Sequence, residues 1–331
     1  MRIVLDAMGS DKYPEPEVQA AVELVEKHGI DLILVGNQEI VEPRLKAVNP
    51  NNVAVRLIHA PDVLEMGEKA VESSLKKRKN SMAIGLDLVK KGEAQAFVTA
   101  GNTGSAMFNA LRVLGRLPGV QRPALSAIFP VKNGRCVVLD IGANADCRPD
   151  FLVQFAIMGS VYAQKVLNLP NPRVGLLANG EEPGKGNELT RNTHPLLKEC
   201  NLNFIGNVEA KELFGGHADV VVTDGFTGNV LLKASESVAK LITDVLKEEL
   251  TATTRTKLGA LLAKPAFGKI KKMLDPSEVG AAPLLGIDGL VFVGHGRSDA
   301  RAMVSAVLLA QWAIQNNLLD SMRQAIKEQL A

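Results

Sequence analysis

Val98-Thr99-Ala100-Gly101-Asn102-Thr103-Gly104-Ser105 is the stretch whose reading decides the fold. Ahead of it, Gln95–Thr99 is a short apolar run with the character of a buried strand. Behind it, Thr103–Leu114 has helical spacing. A strand therefore enters a glycine turn and leaves as a helix. Glycine lets backbone approach a ligand closely, and a helix start offers unpaired N–H groups to an anion.

Five further junctions share this build. They are Leu5-Asp6-Ala7-Met8-Gly9-Ser10-Asp11, Leu139-Asp140-Ile141-Gly142-Ala143-Asn144-Ala145-Asp146, the long turn from Leu177 through Asn179-Gly180-Glu181-Glu182-Pro183-Gly184-Lys185-Gly186-Asn187, Val222-Thr223-Asp224-Gly225-Phe226-Thr227-Gly228-Asn229, and Val293-Gly294-His295-Gly296-Arg297-Ser298-Asp299. In an open parallel sheet the carboxyl ends of the strands share one edge. The six turns are accordingly expected to line one crevice there, as in a phosphate-handling α/β enzyme.

Working outward, strands are expected at Arg2–Asp6, Asp31–Val35, Val53–Ile58, Gln95–Thr99, Leu125–Phe129, Cys136–Asp140, Arg173–Ala178, Asn203–Ile205, Asp219–Thr223 and Gly289–Val293. Helices are expected at Glu15–His28, Glu39–Val48, Glu68–Lys91, Thr103–Leu114, Asp150–Leu167, Glu188–Cys200, Thr227–Leu250, Ser298–Gln315 and Leu319–Leu330. The alternation argues for an α/β fold with a doubly wound, mostly parallel sheet in an αβα sandwich. Phe129-Pro130 before Lys132-Asn133-Gly134-Arg135 reads as a hairpin, which makes one adjacent pair antiparallel. No repeat or linker divides the chain, so residues 1–331 are expected to form a single domain. Residues 230–275 break the rhythm: they hold no strand and form two helices, the second (Arg255–Leu274) interrupted at Pro265 and Gly268. Its apolar residues Leu258, Leu261, Leu262, Phe267, Ile270 and Leu274 alternate with Arg255, Lys257, Lys264, Lys269, Lys271 and Lys272. Such a pair should project from the body or pack on a second subunit.

Composition agrees. A hydrophobic fraction of 46% with only 4% aromatics suits a Val/Leu/Ile/Ala core around a parallel sheet. A net charge of +2 leaves no overall nucleic-acid footprint. Cys136, Cys147 and Cys200 show no CxxC or zinc spacing, and Cys136 reads as a buried, inert thiol, which suits a reducing cytoplasm. Met1–Asp6 is already a strand, with no signal peptide ahead of it. No uncharged apolar run approaches the ~18 residues of a membrane span.

Each motif carries a ligand reading beside a purely structural one. At Gly101–Ser105, Asn102 or Thr103 caps the helix and the Gly104 and Ser105 amides face a ligand, or the segment is a capped helix and no more. It is neither a Walker A loop nor GxGxxG. Asp6 and Asp11 flank the turn at Gly9 and orient metal or substrate, or they brace the turn and cap the next helix. Lys185 sits in a glycine-rich loop where a point cation suits phosphate or a developing oxyanion, or the loop is simply solvated. Asp224, Thr227, Gly228 and Asn229 offer a carboxylate and an amide at a helix start, or they cap it. His295 is the histidine best placed for chemistry, and a structural role is the other reading. The remaining histidines show no ligand spacing, so neither metal nor cofactor is expected. No nucleophile elbow and no activated thiol is present, which favours direct attack by an acceptor.

In order along the chain, Asp6–Asp11, Ala100–Gly104, Leu139–Asn144, Gly180-Glu181-Glu182 with Lys185–Asn187, Asp224–Asn229 and His295–Ser298 resemble the motifs of the bacterial phosphate acyltransferases of phospholipid synthesis, the acyl-acyl-carrier-protein:phosphate acyltransferases. Ser10 stands where that family usually has a second glycine. The resemblance implies a fold related to isopropylmalate dehydrogenases and phosphotransacetylases, and a homodimer with protruding helices. It implies transfer of a long-chain acyl group from acyl carrier protein to inorganic phosphate. The acyl phosphate then passes to a membrane glycerol-3-phosphate acyltransferase, with the enzyme cytoplasmic and peripherally bound to the inner face of the membrane. On this reading phosphate is held by Asp6, Gly9, Gly101, Asn102, Thr103, Gly104, Ser105, Asn144, Asp224, Thr227 and Gly228. Lys185 and Asn229 steady the phosphate and the carbonyl oxygen, and His295 orders the site or moves a proton. Leu258, Leu261, Leu262 and Phe267 touch the membrane, or a dimer interface takes their place. That basic face, or Lys76-Lys77-Arg78-Lys79, docks the carrier protein. The competing readings are a nicotinamide-dependent hydroxyacid dehydrogenase, a coenzyme A-dependent transacetylase and a non-catalytic membrane scaffold.

Overall fold

The computed structural model describes residues 1–132 and 134–330, apart from the side chains of Lys271, Lys272, Pro276 and Leu330. The expectations at Asn133, Lys271 and Lys272 therefore fall outside what is described. The strands are β1 (Arg2–Asp6), β2 (Asp31–Gly36), β3 (Arg56–His59), β4 (Ala96–Thr99), β5 (Ala124–Val131), β6 (Gly134–Leu139), β7 (Val174–Leu177), β8 (Phe204–Val208), β9 (Val220–Val222), β10 (Ala281–Leu285) and β11 (Leu290–Gly294). The helices are α1 (Glu15–His28), α2 (Gln38–Val48), α3 (Ala70–Lys76), α4 (Ser81–Lys90), α5 (Thr103–Val113), α6 (Pro149–Val166), α7 (Glu188–Glu199), α8 (Ala210–Gly215), α9 (Gly225–Ala252), α10 (Thr254–Leu274), α11 (Ala300–Gln315) and α12 (Leu318–Leu330).

All the strands form one sheet in the order β3-β2-β1-β4-β11-β10-β5-β6-β9-β7-β8. Side chains alternate across it: Ile3 and Leu5 pack on one face and Val4 on the other. The first face is covered by α1, α2, α6, α7, α11 and α12. The second is covered by α4, α5, α8 and the first turns of α9. Helices on both faces of a mostly parallel sheet make the expected αβα sandwich.

The single edge expected for the six turns is corrected. The pairings β10–β11, β10–β5 and β5–β6 are all antiparallel, where the sequence suggested one such pair. Strands β1, β4 and β11 therefore run one way, and β6, β9 and β7 run the other. The register still brings the two sets of tips together. Phe292 faces Pro283, the next residue Leu284 faces Leu125, and Ser126 faces Leu139. Leu139, the end of β6, thus stands level with Phe292, only two residues short of Gly294 at the end of β11. Two half-sheets of opposite direction are staggered so that their carboxyl ends finish near one line, about 14 Å apart across three strand spacings.

β10 escaped the sequence because Pro283 lies in its centre and cannot donate to a ladder. Its carbonyl instead accepts from Ser126 Oγ at 3.4 Å. The long helix expected at Glu68–Lys91 is two helices, α3 and α4. Buried Asn80 divides them: Oδ1 accepts from Ala83 N and Nδ2 donates to Lys77 O. The short helix α8 was also missed. Conversely, α10 runs unbroken through Pro265 and Gly268. The helices α9 and α10 form the arm, with only Gly225 and Gly228 buried on α9. Among the described residues no helix is long and apolar enough to cross a membrane.

Candidate active site

Each half-sheet ends in the same way. In one, Leu5 pairs with Val98, so Asp6 and Thr99 follow side by side. In the other, Leu139 pairs with Val222, so Asp140 and Thr223 follow side by side. Both aspartates are fully buried. Asp6 accepts from Met8 N at 3.0 Å and from Thr99 Oγ1 at 2.7 Å. Asp140 accepts from Leu125 N, Gly142 N, Ala143 N, Asn144 N and Asn144 Nδ2 at 2.7–3.1 Å. Burial pushes both carboxyls up, and the donors oppose it. Asp6, expected among the ligand-binding groups, thus folds its turn from behind. Asp140, equally placed, was absent from the candidate residues, although Leu-Asp followed by a glycine turn at both sites was its visible signal.

Around β1, β4 and β11 the three turns interlock. Gly9 lies so close to the next turn that a Cβ there would sit 2.7 Å from Gly101 N and 2.9 Å from Ala100 N. Asp11 N donates to Gly296 O at 2.7 Å, and Asn102 Nδ2 donates to Met66 O at 2.9 Å. Asn102 caps α5 by accepting from Ser105 N at 3.0 Å. The expectation of a ligand-facing Ser105 amide is thereby corrected. The amides of Thr103 and Gly104 meet no acceptor among the described residues. The Ser105 hydroxyl is buried and likewise unpartnered. Asp11 does not cap α1, whose N-cap is Pro14 with no side-chain bond. Ser10 has no left-handed backbone, so serine in place of glycine costs no strain there.

Around β6, β9 and β7 the caps are also occupied. Asp224 accepts from Thr227 N and Oγ1, both at 2.8 Å. Asn144 Nδ2 donates to Pro123 O. Asn229 Nδ2 donates to Ile141 O at 3.1 Å. Gly228 is required by contact: a Cβ would lie 1.9 Å from Asp140 O. Lys185 is exposed in the loop after β7. A Cβ at Gly180 would lie 2.7 Å from Lys185 Cγ, so the lysine stem crosses that glycine at the strand tip. Glu182 O anchors the loop by accepting from Lys185 N and Asn207 Nδ2.

Helix α9 links the two sets. It begins at the β9 tip, and Lys233 and Glu236, one and two turns past Asn229, are near enough to bear on His295 beyond β11. Burial, then Lys233 and Arg297, hold the imidazole below its usual value, against Glu236 and Asp11. Its Nδ1 accepts from Arg297 N at 3.2 Å, which puts the proton of the neutral ring on Nε2. Sequence reasoning missed Lys233, since only the sheet register reveals its neighbour. Cys136 and Cys147 are pushed up to about 12, chiefly by burial, and are not thiolates. Glu181, Glu209 and Glu212 converge on Lys211 Nζ at 3.1, 2.8 and 3.3 Å, so the chain itself supplies their cation.

The profile of the fatty acid synthesis protein family matches residues 1–321. A phosphate acyltransferase from Acidobacterium capsulatum is 48% identical over 93% of this chain and 92% of its own. One from Elusimicrobium minutum is 44% identical over 99% of this chain and 96% of its own. Among solved structures, a phosphotransacetylase from Streptococcus pyogenes covers 99% of this chain and 94% of its own, with a TM-score of 0.60 and 19% identity. That likeness bears on the fold alone.

Proposed function

The chain belongs to the fatty acid synthesis protein family, and we propose that its crevice transfers a fatty acyl group to inorganic phosphate. One observation carries the reading: oppositely running half-sheets finish at one level, and at the tip of β4 the start of α5 leaves the amides of Thr103 and Gly104 free. Backbone N–H groups at a helix start favour a small anion.

Phosphate binds there, and one of its oxygens attacks the carbonyl carbon of an acyl thioester. Negative charge builds on the carbonyl oxygen. The C–S bond then breaks, the thiolate leaves and is protonated, and acyl phosphate is released. Lys185 and Asn229 steady the phosphate and the oxyanion, and Asn144, Asp224, Thr227 and Gly228 hold the turns around Asn229. A neutral His295, protonated at Nε2, is suited to donating a hydrogen bond. The acyl donor is a long-chain thioester on acyl carrier protein, and the product goes to a membrane glycerol-3-phosphate acyltransferase. The enzyme works as a cytoplasmic homodimer at the inner face of the membrane. Support for that placement comes from the arm, where Leu258, Leu261 and Leu262 are exposed, Leu262 to 78%. Phe267, grouped with them from sequence, is half-buried.

Purified Lys185→Ala and Asn229→Ala proteins should each lose about 100- to 1000-fold in phosphate-dependent acyl phosphate formation while keeping their fold. Near-normal rates would remove those roles. Running acyl carrier protein and coenzyme A thioesters side by side separates this reading from a transacetylase.

A further inference from the structure

Glu17 is fully buried although it lies in the first turn of α1. At the third position of a helix a glutamate ordinarily reaches back to the N-cap amide. Here the N-cap is Pro14, which has no N–H. The carboxyl reaches further instead: Oε1 accepts from Ser10 N at 3.0 Å. Its other oxygen and the Ser10 hydroxyl are both sealed from solvent without a partner among the described residues. A buried carboxyl left half-unsatisfied is costly and needs a local reason to be kept.

The reason lies in what Ser10 holds. The preceding residue, Gly9, is packed against the amides of Ala100 and Gly101 in the turn that leads to Asn102 and Thr103. The following residue, Asp11, donates through its amide to Gly296 O, beside His295. The β1 turn is therefore wedged between the anion turn and the histidine turn, and Glu17 is its anchor from behind. We propose that Glu17 is a positioning residue, which through Ser10 sets the spacing between the Gly101–Ser105 turn and the His295 loop. This role rests on the acyltransfer reading of the same crevice but has a readout independent of it.

The test uses the full-length chain with Glu17→Gln, which keeps an acceptor oxygen for Ser10 N, and Glu17→Leu, which keeps the bulk alone. Kinetics with varied inorganic phosphate, run below each protein's melting temperature, should show Glu17→Leu with a phosphate KM raised about tenfold or more and a lower kcat. Glu17→Gln should stay within about twofold of the parent in both. Amide hydrogen exchange should accelerate at the hydrogen-bonded amides of Ser10, Asp11, Gly101 and Ser105 in Glu17→Leu only. A folded Glu17→Leu protein with parental phosphate KM and exchange rates overturns the proposal. If it does not fold, a Glu17→Gln protein with parental stability but a tenfold change in phosphate KM overturns it, and parental KM upholds it. A parent chain inert with phosphate counts against the acyltransfer reading instead. The exchange pattern then decides the positioning role by itself.

Discussion

Single residues in this chain are explained by what lies behind the crevice as much as by what faces it. Asp6, Asp140 and Glu17 are carboxyls removed from water, and each shapes a turn. For Glu17, burial first of all, with the charge of Asp6 as a lesser contributor, pushes the acid from its ordinary 4.5 to about 7 against its contacts with Ser10. An acid raised on folding contributes stability that is fully present below its unfolded value and is lost as pH rises through the folded one. The parent chain should therefore lose about 3 kcal/mol between pH 4.5 and 7 from this group, while Glu17→Gln should not. Urea titrations of both proteins across that range measure the difference, and parallel pH profiles would refute the assignment. The turn and cap residues at the strand ends were legible, because glycine, asparagine and aspartate have specific backbone uses there. Asp140 shared that signal and was passed over, while Glu17 carried none, since its burial depends on neighbours distant in sequence.

Elements bring these residues into place through caps and close approaches. Helix α9 can begin at the β9 tip only because Gly228 lets it lie against the Asp140 carbonyl. Gly228→Ala puts a methyl carbon where 1.9 Å separates it from that oxygen, so the helix must move away. Overpacking of this kind costs roughly 3 kcal/mol or more. The expected result is a lower urea midpoint and loss of turnover; an unchanged midpoint would mean the contact is slack. Strand and helix positions were mostly legible from apolar runs and periodicity. The failures have particular causes. Pro283 disguised β10, the cap at Asn80 split a continuous helical pattern, and α10 absorbed Pro265, which removes one intrahelical bond without ending the helix.

At the scale of the whole molecule, sheet direction is what sequence could not supply. Alternating strands and helices predict parallel neighbours and one edge. The antiparallel centre built by β10 and β5 instead reverses half of the sheet, and the register of Phe292, Ser126 and Leu139 restores the convergence. The arm leaves from this meeting point, α9 spanning about 42 Å at the usual helical rise. If its exposed face seats on lipid, Leu258→Glu with Leu261→Glu should abolish flotation with vesicles containing anionic lipid, each leucine giving up about 1.5–3 kcal/mol of burial. Unaltered flotation would assign that face to something other than membrane. The central claim is that turns from both half-sheets enclose one phosphate. It is tested most directly by a crystal structure grown with inorganic phosphate. The account predicts the anion within about 2.7–3.2 Å of the Thr103 and Gly104 amides, with Lys185 or Asn229 reaching it from the other side. Phosphate bound elsewhere, or at α5 with both of those side chains turned away from it, would contradict the account.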